Sequence, residues 1–113
     1  MPILQRRVSI TPEEYLQREI YGDIRHEYVN GEVHAMVGAS EAHNLIAGNL
    51  HSALHQHLRA TPCRVFMSDM KVRIGDVFYY PDVLVSCSEK DVHPYYKTEP
   101  ILIIEVISPS TEI

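Results

Sequence analysis

The amino-acid sequence has no tryptophan and no long apolar run. Its longest uncharged stretch in the middle of the chain, residues 44–58, is interrupted by Asn, Gln and His. It therefore falls short of the roughly 20 apolar residues that a membrane-spanning helix needs. Arg6 and Arg7 have no apolar segment behind them, which excludes a secretory signal peptide. These absences predict a cytoplasmic protein without a membrane segment.

Positive charge is scarce. The 113 residues include 10 Lys and Arg against 15 Asp and Glu, which gives a formal net charge of −5. Proteins that bind nucleic acids gain much of their affinity from contacts between basic side chains and phosphates. Bulk charge therefore cannot hold DNA to this chain. A nucleic-acid function would require a local basic patch, or metal ions that screen the phosphates.

Cysteine is rare as well, since only Cys63 and Cys87 are present. Two cysteines are too few for a zinc ribbon. In the reducing environment of the cytosol, we expect each to be a small buried apolar residue rather than half of a disulfide.

The overall composition is that of an ordinary globular protein, with 45% hydrophobic and 22% charged residues. We therefore treat residues 1–113 as a single domain. Near the N-terminus, a capping-box pattern that starts at Thr11 predicts a helix over residues 12–20. Asn30-Gly31 then lies between two alternating runs, which predicts a hairpin with strands at 25–29 and 32–37.

A longer helix is predicted over residues 41–59, with Ser40 as its cap. Its apolar residues recur at helical spacing and are expected to form the buried stripe: Ala42, Ile46, Leu50, Ala53, Leu54 and Leu58.

Alternating and β-branched runs predict that most of the remaining chain forms strands, with a loop at 88–100. Pro81 interrupts one of these runs, which indicates a bulge or a sheet edge. Helices and strands together predict an α+β class with a mixed sheet. The predicted strands cover residues 63–67, 70–74, 77–80, 82–87 and 101–107.

Glu105 is the most unusual residue, because it lies within the apolar run 101–107. A carboxylate buried there would be costly unless it were paired, protonated or bound to a metal. Alternatively, Glu105 reaches water near the strand end or pairs with a basic residue. Asp82 follows Pro81 and opens a strand, and taken alone it fits an ordinary turn residue.

Asp82 and Glu105 together indicate a metal site. An acid that enters one strand and an acid inside the next buried strand can converge on one divalent cation. Mg²⁺ is typically held by one or two carboxylates together with water and substrate phosphate. A metal held in this way can activate water and polarise a phosphodiester. We therefore expect the two carboxylates on the same side of the sheet, in an order that resembles the core of PD-(D/E)XK nucleases.

Five segments, in order along nearly the whole chain, are similar to the Uma-two family of restriction-endonuclease-like proteins. The resemblance implies a restriction-endonuclease-like mixed sheet and an endonuclease that hydrolyses DNA with Mg²⁺ or Mn²⁺. It also implies that Asp82 and Glu105 bind the metal together with Val106, and that His43 faces the cleft as a catalytic residue. The segments are Tyr28–Val33, His43-Asn44, Ser68–Arg73, Tyr80–Val83 and Ile104–Thr111.

Two features depart from the family pattern. Ile107 stands where the standard nuclease motif has Lys, and a helix-start signature at 108–112 comes just before the last residue. We therefore expect the C-terminal part of the family domain to be missing and cleavage to be weak or absent. The alternative function is that of an inactive, truncated relative that acts as a binding or interaction module.

The strand predicted at 101–107 is apolar on both faces and needs cover. We expect a second copy of the chain to supply it, which predicts a homodimer. Loop 88–100 or further C-terminal residues are the alternative covers.

Several other polar residues have ordinary explanations. His51 and His55 have the i, i+4 spacing of shared metal ligands, but without an evident third ligand we interpret them as part of a solvated helix face. His43 and His57 fall on or near the apolar stripe, where a buried, hydrogen-bonded histidine is the ordinary interpretation.

Lys71 and Arg73 share a strand face that could meet phosphate, although a solvated face fits the acidic composition better. Glu27 and Glu32 flank the hairpin turn and match acids in the N-terminal motif of the family. They could join the site, but we favour a role in hairpin solubility.

Overall fold

The computed structural model describes residues 9–107, which contain two helices and eight strands. The helices are α1 (Pro12–Tyr21) and α2 (Glu41–His57). The strands are β1 (His26–Val29), β2 (Glu32–Ala35), β3 (Arg64–Met67), β4 (Lys71–Ile74), β5 (Val77–Tyr79), β6 (Val83–Ser86), β7 (Tyr96–Lys97) and β8 (Pro100–Ile104).

The strands form two sheets. A five-stranded sheet has the order β2-β1-β5-β4-β7, and a three-stranded sheet has the order β3-β6-β8. The first sheet is mixed, because β4 and β7 pair parallel while its other pairs are antiparallel. The predicted α+β class with a mixed sheet is therefore confirmed.

Helix α1 forms as predicted. The Thr11 side chain accepts a hydrogen bond from Glu14 N–H, and the Glu14 carboxylate accepts one from Thr11 N–H. Tyr15 is the buried residue of this helix. Its ring lies 5.0 Å from that of Tyr28 and 5.1 Å from that of Phe78, so α1 packs against the centre of the five-stranded sheet.

The hairpin is also as predicted. Asn30 and Gly31 have φ values of 48° and 95°, both positive as a type I′ turn requires. A Cβ on Gly31 would lie 3.0 Å from Ser9 Oγ, so a larger residue here would be crowded as well as strained.

Tyr80, Pro81 and Asp82 form the passage between the two sheets. The strand before them, β5, belongs to the five-stranded sheet, and the strand after them, β6, belongs to the three-stranded sheet. The irregularity that Pro81 predicts is therefore a change of sheet. This passage places Asp82 at the junction, where side chains from several elements can meet.

Helix α2 packs against β3 and β6, but on a different face from the one predicted. Ile46 is 49% exposed, and Ala42 and Ala53 are exposed as well, whereas Ala47 is buried. His43 is on the inner face. The predicted stripe is wrong at Ala42, Ile46 and Ala53. His43 and His51 instead face the sheet, where they contact Asp82 and Val65.

Strand β8 is shorter and more exposed than predicted. It ends at Ile104, and Ile101 and Leu102 are 67% and 40% exposed. The predicted end of the strand at residue 107 is wrong, and its exposed apolar residues are those that the sequence predicts to need cover. Among the described strands, β8 lies at an edge of the three-stranded sheet. The helix start predicted at 108–112 lies outside the described residues.

Cys63 and Cys87 form a disulfide, with a Sγ–Sγ distance of 2.01 Å. The prediction of two separate reduced thiols is wrong. In the β3–β6 ladder Arg64 lies opposite Ser86, so the two cysteines are the next residues outward on each strand. Strand register brings them together, which the spacing in the sequence does not reveal.

The segment 88–100 is anchored by Asp91. Its carboxylate accepts hydrogen bonds from Ser86 Oγ (2.8 Å), Thr98 N–H (2.9 Å) and Glu99 N–H (2.9 Å). Lys97 Nζ donates to the Asp91 carbonyl at 2.9 Å. The predicted loop therefore contains the short strand β7 and is pinned to the sheet.

Within residues 9–107, no helix is both long and apolar enough to cross a membrane.

Candidate functional site

Asp82 and Glu105 meet at the ends of β6 and β8. These strands are antiparallel, with Val83 opposite Ile104, so the residues just beyond this pair are neighbours. Asp82 N–H donates to Glu105 Oε1 at 2.9 Å, and Val106 N–H donates to Asp82 Oδ2 at 2.7 Å. Each acid is therefore held by the backbone beside the other.

His43 completes this group from the first turn of α2. Its Nε2 lies 3.1 Å from Asp82 Oδ2, and the side chains of His43 and Asp82 are 15% and 17% exposed. Ser40 fixes this turn, because its Oγ accepts a hydrogen bond from His43 N–H. The N-terminus of α2 therefore lies against the sheet junction.

These contacts use one oxygen of each acid. Asp82 Oδ2 contacts Val106 N–H and His43, and Glu105 Oε1 accepts from Asp82 N–H. Asp82 Oδ1 and Glu105 Oε2 are the second oxygens of the two carboxylates. Asp82 Oδ2 and Glu105 Oε1 are thus oriented by backbone donors, and the two carboxylates also interact with each other.

The electrostatics of the site are unfavourable for negative charge. Burial raises the pKa of Glu105, and the charges of Asp82 and Glu27 add to this rise against the opposing hydrogen bond from Asp82 N–H. Burial also raises the pKa of Tyr79, with contributions from Glu105 and Glu27. Glu105 is nevertheless an exposed residue just beyond the end of β8, which agrees with the alternative that it reaches water near the strand end. A proton on Glu105 or a cation beside the two acids would relieve the repulsion between them.

Glu27 is the acid near this site that the preferred interpretation of the sequence missed. Hairpin solubility is an incomplete explanation, because Glu27 acts electrostatically on both Glu105 and Tyr79. Strand β1 pairs with β5, with Tyr28 opposite Phe78, and this pairing brings Glu27 towards the sheet junction. The family motif was the signal that pointed to Glu27.

The donor set suits a hard divalent cation. Mg²⁺ takes oxygen ligands and is commonly held by one or two carboxylates, with water and substrate phosphate completing the shell. Asp82 and Glu105 match that pattern. In the part of the chain from 9 to 107, however, no group of three or more His, Cys, Asp or Glu residues is placed to hold an ion. Such an ion would therefore depend on water or substrate for its remaining ligands.

Val106 contacts the site through its backbone N–H, which fixes Asp82. Its inclusion among the metal residues stays a prediction.

The other histidines of α2 take no part in this site. His51 Nε2 donates to the Val65 carbonyl at 3.2 Å, and its ring stacks on that of His55 with centroids 6.0 Å apart. His51 is half-buried while His55 and His57 are exposed. The interpretation as a solvated face therefore fails for His51, and that of His57 as a buried histidine is wrong.

Lys71 and Arg73 are used inside the protein. Lys71 is only 5% exposed, and its Nζ lies 5.2 Å from the centroid of the Tyr80 ring. Arg73 donates to the Gly75 carbonyl and to Tyr96 Oη. The interpretation as a solvated strand face is wrong for Lys71, whose pKa is lowered by burial.

Neither Asp82 nor Glu105 has a basic partner among the described residues other than His43. Ile107, which stands where the standard motif has Lys, is 69% exposed. Glu32 lies 3.5 Å from His34 on the hairpin.

Comparison with protein families identifies the chain. The model of the Uma2 family, described as "Putative restriction endonuclease", matches residues 12–113. The chain belongs to the Uma2 family. The resemblance based on the five sequence segments is therefore confirmed.

Two uncharacterized Synechocystis proteins are similar to this Uma2 chain. One, slr1290, is 40% identical over 107 residues, which are 92% of this chain and 56% of the relative. The other, sll1609, is 36% identical over 115 residues, covering 97% of this chain and 65% of the relative. The chain thus spans little more than half the length of the first relative and about two thirds of the second.

The fold is also found in a crystal structure, that of "a putative nuclease belonging to DUF820" from Anabaena variabilis. The TM-score is 0.73 at 21% sequence identity, and the match covers 91% of this chain and 61% of the other. This likeness shows a shared fold.

Proposed function

We propose that Asp82 and Glu105 bind Mg²⁺ or Mn²⁺ and that the site hydrolyses DNA phosphodiester bonds. The observation that carries this proposal is the meeting of the two acids at the sheet junction, each with one oxygen fixed by a backbone N–H. Membership in a family described as "Putative restriction endonuclease" supports the reaction class. A protein with this activity would act on DNA in the cytoplasm.

Each residue of the site has a distinct role in this proposal. Asp82 and Glu105 would hold the cation, which when bound supplies charge neutralisation at the phosphoryl oxygens. Val106 N–H keeps Asp82 Oδ2 in place. His43 would position Asp82 from the same oxygen, 3.1 Å away. Water would attack phosphorus in line with the leaving oxygen.

Contact with DNA would rest mainly on the cation. Arg25 donates to Ser68 and Asp69, Arg64 to the carbonyls of loop 88–100, and Lys97 to two carbonyls of the same loop. These side chains are committed to the fold. The net charge is −5, and among the described residues no Lys or Arg contacts the acid pair, so the site itself has little with which to attract phosphate.

The absence of a basic residue beside the acid pair, among the described residues, favours a second function. Within residues 9–107 no Lys or Arg contacts the acid pair, so no such group is placed to orient the attacking water or stabilise the transition state. A chain with this site could bind metal and nucleic acid without cleaving, as an interaction module.

Plasmid nicking tests the reaction. Supercoiled DNA is incubated with Mn²⁺ and wild type, Asp82→Asn, Glu105→Gln or the control Glu89→Gln, an exposed acid of the 88–100 loop. The proposal expects slow nicking by wild type and the control that is lost in both site variants. Equal rates in all four proteins would contradict it, and absent nicking with retained metal binding would favour the interaction module.

We also propose a homodimer. Ile101, Leu102 and Ile107 are exposed beside the outer edge of β8. An edge strand with exposed apolar residues is a template for pairing with another chain. A second copy would cover this surface.

A further inference from the structure

A separate pocket lies between the end of α2 and strand β3. It is open to solvent and has a volume of about 510 Å³, which is within the range of small-molecule sites. It lies about 20 Å from His43, since α2 rises 1.5 Å per residue from His43 to His57. It is therefore distinct from the acid pair. The lining residues are His55, Leu58, Arg59, Cys63, Arg64, Val65 and Phe66.

The chemistry of this pocket is that of an anion site with an apolar floor. Leu58, Val65 and Phe66 supply the apolar surface, and Arg59 and Arg64 supply positive charge. Such a local concentration of cations is unusual in a chain with a net charge of −5.

The two arginines differ in how they are held. Arg64 Nη2 donates to the Ser88 and Asp91 carbonyls, at 3.0 and 3.1 Å, so its guanidinium is fixed at the pocket. Arg59 is an exposed residue of the lining.

A reactive bond is part of the same wall. Cys63 lines the pocket and is bonded to Cys87. Both cysteines are half-buried rather than enclosed. In the described sheet β3 is an edge strand, so no further strand covers Cys63 on its outer side. A small molecule in the pocket would therefore lie beside a disulfide.

We propose that this pocket binds a small anionic thiol, one that carries carboxylates as tripeptide thiols do, and that the thiol exchanges with the Cys63–Cys87 disulfide. The inference is independent of the proposed nuclease function. Two observations support it together: the cationic lining selects an anion, and the sulfur in the wall gives that anion a reaction partner.

The reaction is a balanced exchange. The thiolate of the small molecule attacks Cys63 Sγ, the protein S–S bond breaks, and Cys87 leaves as a thiolate that takes a proton from water. A second small thiolate attacks the small-molecule sulfur of the mixed disulfide, and Cys63 leaves in the same way. Two small thiols are oxidised to one disulfide, and the protein disulfide is reduced to two thiols.

The positive lining favours this exchange in two ways. It raises the local concentration of an anionic reactant, and it stabilises the thiolate form that attacks and leaves. In a reducing compartment such a bond would be transient rather than structural. The fraction of chains in which the Cys63–Cys87 bond is intact would then depend on the concentration of the small thiol.

The test compares thiols of different charge on the oxidised protein. Glutathione and neutral 2-mercaptoethanol are reacted at low ionic strength. Protein thiols are trapped by alkylation, counted by intact mass, and the rates are divided by thiolate concentration. Wild type is expected to react about 10-fold faster with glutathione. Arg59→Gln should reduce this preference by several-fold, while Arg18→Gln, an exposed arginine on α1, should leave it unchanged.

The salt dependence of the reaction rates provides a second test. The preference for glutathione should fall towards unity in 0.5 M NaCl, roughly where screening extends over only a few ångströms. Equal rates for the two thiols in wild type would overturn the proposal, as would an unchanged preference in Arg59→Gln. Finding two free thiols per chain after mild oxidation would also overturn the proposal, because the Cys63–Cys87 bond would then not form.

Discussion

Placing the negative charge of Glu105 at the sheet junction is unfavourable for the stability of the folded chain. Asp82 and Glu105 are close enough for the charge of Asp82 to raise the pKa of Glu105. Burial of Glu105 is the larger cause of this rise, and the hydrogen bond from Asp82 N–H opposes it. Sites arranged in this way commonly reduce the stability of the free protein.

Removing the charge of Glu105 should therefore stabilise the free chain. The folded-state pKa of Glu105 is raised, so the folded chain binds a proton more tightly than the unfolded chain. Its ionisation lowers stability as the pH rises from the unfolded pKa through the folded pKa. Glu105→Gln retains Oε1 as an acceptor for Asp82 N–H. Its free energy of unfolding should exceed that of wild type by about a few tenths of a kcal/mol at pH 7.5, because solvent screens most of the effect of the charge.

Thermal unfolding checks this at pH 7.5 and at pH 4, without divalent metal. The gain of Glu105→Gln should shrink at pH 4, where wild-type Glu105 is largely protonated. Glu89→Gln is the matched control and should behave as wild type. A Glu105→Gln variant less stable than wild type at pH 7.5 would show that its charge is favourable in the fold.

The pKa of Asp91 is shifted in the opposite direction to that of Glu105. Burial alone would raise its pKa, but hydrogen bonds from Thr98, Glu99 and Ser86 and the charge of Lys97 outweigh burial and lower it. Its stabilising effect is thus present above the unfolded pKa of about 3.9 and is lost as the pH falls through the folded pKa. Asp91→Ala should cost about 3 kcal/mol at neutral pH, because several buried donors lose a charged acceptor.

Urea unfolding measures this cost, with Asp23→Ala, an exposed acid, as the control within about 0.5 kcal/mol of wild type. The loss for Asp91→Ala should diminish at low pH. A cost below 1 kcal/mol at neutral pH would mean that segment 88–100 is held by other contacts.

At the scale of single residues, the sequence could predict what local chemistry determines. Asp82 and Glu105 stood out because one follows Pro81 and the other interrupts an apolar strand. The burial of Lys71 and the approach of Glu27 to Glu105 depend on pairing between distant strands. Such pairings are set by the tertiary structure and leave no local signal.

At the scale of elements, the best predictions concern segments whose ends carry their own hydrogen-bonding pattern. The capping box of Thr11 and the Asn30-Gly31 turn are examples, and both are found as predicted. The face of α2 was not predictable in the same way. His43 contacts Asp82 and His51 contacts Val65, and Ile46 is exposed.

The disulfide is the element-scale constraint with the largest expected effect. It closes a loop with a sequence separation of 24, for which chain entropy predicts a stabilisation of about 3 kcal/mol. Reduction, or the double change Cys63→Ser and Cys87→Ser, should lower the free energy of unfolding by that amount. Denaturation with and without a phosphine reductant measures it.

The double serine variant is the control, since reductant should not affect its unfolding. Identical curves for oxidised and reduced wild type would contradict a stabilising bond between β3 and β6.

At the scale of the whole molecule, the chain divides into one sheet that is packed under α1 and one whose last described strand is exposed. Phe78 and Tyr28 of the first sheet are almost completely buried, while Ile101 and Leu102 on β8 are not. The sequence predicts that the strand at 101–107 needs cover. It cannot show which apolar side chains the rest of the chain leaves exposed, because that depends on tertiary packing.

The exposed strand leads to a prediction about assembly. Wild type should have twice the monomer mass of 12.9 kDa in light scattering at micromolar concentration. The double variant Ile101→Lys and Leu102→Lys should shift it towards the monomer, because charge on an edge strand opposes pairing. Val37→Lys, at another exposed apolar residue, is the control. A stable wild-type monomer would contradict the homodimer.

The central claim is that Asp82 and Glu105 form a divalent-metal site, and titration calorimetry with Mn²⁺ and Mg²⁺ tests it most directly. The account predicts one ion bound per chain by wild type and Glu89→Gln, with at least a 10-fold loss of affinity in Asp82→Asn and in Glu105→Gln. Circular dichroism on the same samples confirms that the variants are folded. Wild type that binds neither ion, or site variants that bind as tightly as wild type, would contradict the claim.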